Sequence, residues 1–125
     1  KFMISSKKHD VEPIMCATVR EDNGLALSSR NKHLEAKEKL ELGVIYETLN
    51  WAAQNIAKME FADIEQRAKD HLMKCAYVND VEYFKILRLH DFEPVIKVSE
   101  TEPIVICVAL NTNKARLIDN ILLFY

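Results

Sequence analysis

At 125 residues the chain suffices for one hydrophobic core and falls short of two ordinary domains. Its 17 basic and 19 acidic residues leave a net charge of -2, without the basic excess that capture of nucleic acid demands, so an anionic ligand needs a local site. Apolar residues form 49% of the sequence, yet the longest clean run, Ile104 to Leu110, is far below the roughly 20 residues of a membrane span.

The first ten residues carry no apolar stretch of signal-peptide length. Cys16, Cys75 and Cys107 are odd in number, widely spaced and without a CxxC pair, and read as reduced thiols of a cytoplasmic protein. Val11 to Val19 is mostly apolar and runs into the polar Arg20 to Gly24, the pattern of a strand delivering the chain to a functional loop. Beyond it, Leu42, Ile45, Leu49, Ala52 and Ile56 recur at helical spacing, which predicts a helix from about Glu35 to Lys58. Glu35, Lys37, Glu38 and Lys39 at its start read as a solvated face. A second stripe, Ile64, Ala68, Leu72 and Ala76, predicts a partner helix with Asp63 as its N-cap and a helical hairpin as the result.

From Val81 to Leu89 the residues alternate, with Val81, Tyr83, Lys85, Leu87 and Leu89 on one face and Glu82, Phe84, Ile86 and Arg88 on the other. Pro94 and Pro103 punctuate the loop that follows. Ile104 to Leu110 is too apolar for an exposed edge and is expected at the centre of the sheet. Asn111-Thr112-Asn113 supplies turn chemistry, and Arg116 to Ile121 reads as a further strand or extended tail. The expected fold is therefore α+β, a helical hairpin packed on a small antiparallel sheet of about three strands. His9, His33, His71 and His90 lack zinc-ligand spacing, so no metal is assigned to side chains. Trp51, Tyr46, Tyr77 and Tyr83 fall at core spacing and are read as packing residues before a stacking platform for bases.

The densest chemistry lies at Ser28-Ser29-Arg30. Two hydroxyls, adjacent amides and a guanidinium fork can hold several phosphate oxygens, with the dipole of a following helix in support. On the four residues Ser28 to Asn31 alone, the simpler reading is a cap of the helix expected from Glu35.

The whole segment Val19 to Asn31 reads V-R-E-D-N-G-L-A-L-S-S-R-N and resembles the signature of the pantothenate synthetase (pantoate–β-alanine ligase) family, roughly T-V-R-E-x-D-G-L-A-M-S-S-R-N. Ala115-Arg116-Leu117-Ile118-Asp119-Asn120 is similar to that family's second motif, in the right order along the chain. Ala17 stands where the family has Pro, Leu27 where Met is commoner, and Asn113-Lys114 where a Gly precedes the second motif. The resemblance implies a relative of the class I synthetases, with residues 1–18 ending a preceding nucleotide-binding domain and residues 19–125 forming a C-terminal ATP-lid domain. It implies a ligase that adenylates pantoate with ATP and Mg2+, releases pyrophosphate, and lets β-alanine displace AMP. By position, the Val19 backbone would meet adenine, Leu27 would line the nucleotide site, and Ser28, Ser29 and Arg30 would hold the phosphates as the catalytic set. The family's His-x-Gly-His motif and its pantoate and β-alanine contacts fall upstream of the matched segments, so the fragment alone is expected to be inactive, and the full enzyme to pair as a homodimer through its N-terminal domain. Arg116, Asp119 and Asn120 are expected to pin the last strand. No nucleic acid or membrane partner is implied. The rival reading is a non-catalytic α+β interaction module.

Overall fold

The computed structural model describes residues 6–7, 10–95 and 102–124. After a 3-10 turn at Ser29–His33 come three α-helices, α1 Ala36–Glu41, α2 Val44–Asn55 and α3 Phe61–Leu72. Three strands follow, β1 Asp80–Arg88, β2 Ile104–Asn111 and β3 Arg116–Leu123, in the order β1-β2-β3 with both pairings antiparallel. β2 is central, as its apolar run requires, with six of its eight residues buried. α2 and α3 pack on each other and on one face of the sheet, where Leu42, Leu49, Ile64, Leu72, Phe84, Ile106 and Leu110 meet in one core. The α+β architecture and small antiparallel sheet agree with the sequence.

Several local expectations fail for physical reasons. Val11 to Val19 is no strand. These residues are exposed and without regular structure, since they pair with neither edge of the described sheet. The single helix expected over 35–58 is broken at Leu42 and Gly43. There the Asn23 amide donates to the carbonyls of Lys39 (2.7 Å) and Leu40 (3.1 Å), capturing acceptors at the end of α1. A Cβ on Gly43 would stand 2.9 Å from Asn23, so only glycine admits this approach. Glu38 is not solvated but buried, accepting from the Glu35 amide and the Lys114 ammonium. The α3 helix begins at Phe61, after Glu60 as N-cap, leaving Asp63 inside the first turn and Ala76 beyond the end.

In β1 a bulge between Val81 and Tyr83 shifts the register, so Val81 joins Phe84 and Ile86 on the buried face instead of alternating away from them. Glu65 of α3 accepts from the Ile86 amide and pairs with Lys85, covering part of this edge strand. Cys16 is exposed, while Cys75 and Cys107 are half-buried. Among the described residues no helix is long and apolar enough to cross a membrane.

Candidate functional site: the Ser-Ser-Arg tip and the β3 cleft

Arg20 and Ala26 form an isolated antiparallel bridge that closes a tight loop, with Glu21 N–H on Leu25 O and Leu27 N–H on Val19 O. Gly24 turns the loop at φ 89°. The closure sets Val19 and Leu27 side by side, 67% and 55% exposed, immediately before the hydroxyls. Ser28 then caps the 3-10 turn, its Oγ accepting from the Arg30 amide at 3.2 Å. Ser28, Ser29 and Arg30 are all exposed. The turn is five residues long and the helix after it six, too short for the supporting helix dipole expected from the sequence. Its positive charge comes from side chains instead, Arg30 and Lys32, with no acidic residue in the first turn.

Around this tip the side chains of Arg20, Asn23 and Asn31 are tied down by hydrogen bonds. Arg20 donates from one terminal nitrogen to Gly24 O (2.9 Å) and Asp119 Oδ2 (2.6 Å), and from the other to Asp119 Oδ1 (3.0 Å) and Asn120 O (3.3 Å). The guanidinium lies 3.9 Å above the Tyr46 ring, so Tyr46 carries Arg20 and is not part of the core cluster expected from its spacing. Asn31, buried, donates to Glu21 Oε1 and Ala26 O, and its Oδ1 is a buried acceptor without a partner among the described residues. Arg20, Arg88 and Arg116 are each held by a carboxylate, Arg116 by Glu82 across β2. Arg30, by contrast, has no side-chain partner among the described residues.

The two sequence motifs meet. Leu27, Ser28, Arg30 and Asn31 from the loop and Arg116 to Asn120 from β3 line one cleft of about 270 Å3. A larger groove of about 540 Å3, between Trp51 of α2, Arg67 and His71 of α3 and Lys74 just past its end, contains no motif residue. Asp119 pins the last strand as expected, but through Arg20 of the loop, and Asp119 Oδ1 also accepts the Asn120 amide. Arg20, Asn23, Asn31 and Tyr46 received no site role from the sequence. Arg20 and Asn31 stood inside the motif, and their pairing to residues 99 and 10 positions away has no sequence signature. Among the described residues no group of three or more His, Cys, Asp or Glu is placed to hold a metal ion.

The Pantoate-beta-alanine ligase family model matches residues 1–122. The chain is 35% identical over 123 residues to a pantothenate synthetase of Caldicellulosiruptor saccharolyticus and 37% over 123 residues to that of Nitrosomonas europaea, covering 97% of this chain and 43% of each relative. Its fold is similar to crystalline pantothenate synthetase of Thermus thermophilus, with TM-score 0.82 and 26% identity over 96% of this chain and 43% of that one. The chain thus spans less than half the length of the relatives it matches. With the family match over nearly all of its length and both family motifs converging on one cleft, the chain belongs to the pantoate–β-alanine ligase family.

Proposed function

We propose that this chain is the C-terminal, nucleotide-covering part of an ATP-dependent ligase that joins pantoate to β-alanine through a pantoyl adenylate. The observation that carries the reading is the Arg30 guanidinium, without a side-chain partner among the described residues, beside two exposed hydroxyls at the mouth of the cleft that both motifs line. Residues 1–18 end a preceding nucleotide-binding domain and residues 19–125 act as the lid. Mg2+ arrives with ATP, and no side chain here is asked to hold it.

In this reading the exposed apolar pair Val19 and Leu27 receives the base, with the Val19 backbone toward adenine. Ser28 and Ser29 donate to phosphate oxygens. Arg30 supplies a bidentate cation as charge gathers on the departing pyrophosphate, and its contribution grows toward the transition state. The pantoate carboxylate attacks the α-phosphorus, the bond to pyrophosphate breaks, and the β-alanine amine then displaces AMP from the acyl carbon. The groups that orient pantoate and β-alanine, and the dimer contact, belong to the portion that the relatives have in addition. The test is pantothenate and AMP formation from ATP, pantoate and β-alanine by the full-length protein containing this chain. Release of neither product would remove the assignment.

A further inference from the structure

We propose that Arg20 is a positioning residue, whose clasp on Asp119 sets the Ser28-Ser29-Arg30 tip against β3 and makes the two sequence motifs a single working unit. The inference deepens the phosphate-holding reading of that tip and rests on it. Arg20 itself is not free to touch a ligand. Its side chain is 16% exposed and Asp119's is 3% exposed, both terminal nitrogens are engaged, and Tyr46 covers one face of the guanidinium.

The geometry ties position to function in three steps. Gly24 O and Asp119 take the same guanidinium nitrogen, so the loop's turn is registered on the strand. The Arg20–Ala26 bridge and the Leu27 amide on Val19 O carry that register along the loop to the residue before Ser28. Asn31, bonded to Glu21 and Ala26, holds the far side of the tip to the same loop. A displacement at Arg20 is therefore transmitted to both ends of the tip. Lysine cannot replace it, because a point charge on a flexible stem lacks the planar fork that spans two carboxylate oxygens and two carbonyls.

The experiment uses the full-length protein with Arg20→Lys, Asp119→Asn and the double substitution. Single-turnover formation of the acyl adenylate is measured beside thermal unfolding and amide hydrogen exchange in the absence of ligand. Arg20→Lys should lower the rate at saturating ATP by roughly 10²-fold, the scale of an ångström-level misplacement, with KM for ATP changed less than about threefold. The double variant should be no slower than the worse single one, because both remove the same clasp. The Glu21, Leu27 and Asn31 amides, each bonded within the loop, should exchange about tenfold faster or more, while those of β2 keep their protection. Variants that melt earlier yet react normally while folded, or whose exchange rises uniformly, would show a merely structural bond and overturn the proposal. If the parent protein forms no adenylate, the functional reading falls and exchange decides alone. Loss of protection confined to the loop then sustains the clasp, and unchanged exchange refutes it.

Discussion

Arg30 and Arg20 lie ten residues apart and do opposite work, one left free and the other fully engaged. Under the proposed function, Arg30→Ala in the full-length protein removes one preorganised donor and should lower the rate of adenylation by about 10²-fold. ATP affinity should fall much less, since the contact strengthens with charge on the leaving group. Ser28→Ala and Ser29→Ala should be milder, each losing one of several donors; pre-steady-state kinetics separates the three. Gly24 matters for a different reason. A Cβ there would lie 2.3 Å from Tyr46 Cδ1, at a φ that side chains rarely adopt, so Gly24→Ala must displace the ring beneath Arg20. The expected cost is about 1 to 3 kcal/mol, read from denaturant unfolding. Thiol chemistry follows burial in the same way. Burial pushes the Cys107 thiol up, and Cys16 is exposed, so a maleimide at neutral pH should label Cys16 first and Cys107 slowly.

The elements best read from sequence are those where one physical demand dominates. β2 is apolar on both faces and can only be central, and the α2 and α3 stripes keep helical spacing over 12 residues each. What escaped the sequence is set by partners distant in the chain. The α1/α2 break is made by Asn23, and the β1 bulge is fixed by its register with β2; neither changes local periodicity. Glu38 was legible only as a charge among charges, yet it joins α1 to the β2–β3 turn. Its carboxyl is held below the ordinary value of 4.5, first by the Glu35 amide and then by Lys114. A depressed folded pKa means that the contribution is fully present above pH 4.5 and is lost as pH falls through the folded value. Glu82, lowered by Arg116 and then Asn111, acts in the same direction. The melting temperature should therefore decline on acidification below about pH 4.5, the ordinary carboxylate range. Lys114→Met should flatten that decline, and an unaltered acid limb would show that this link does not contribute.

At the scale of the whole molecule, the described residues divide into a finished core and an unfinished flank. Leu42, Leu49, Ile64, Leu72, Phe84, Ile86, Ile104, Ile106 and Leu110 are buried in one contiguous cluster joining helices and sheet, which is what cooperative unfolding requires. Val11, Ile14, Met15, Val19 and Leu27 are instead exposed on the side of the chain that leads into the Ser28-Ser29-Arg30 tip. Under the proposed function these apolar residues face the nucleotide and the portion of the protein that the relatives possess in addition, so folding and activity should come apart. The 125-residue chain on its own should show one cooperative thermal transition, since its described helices and sheet already share one buried cluster. It should release no AMP from ATP, pantoate and β-alanine, because in the proposed reading the groups that align the attacking carboxylate belong to the portion the relatives have in addition, and alignment supplies a large share of such a rate. Circular dichroism on heating and a coupled AMP assay measure the two halves independently. Turnover by the isolated chain would mean that the cleft between the tip and β3 binds pantoate as well as phosphate, and a non-cooperative melt would mean that the exposed flank must be covered before the core can form.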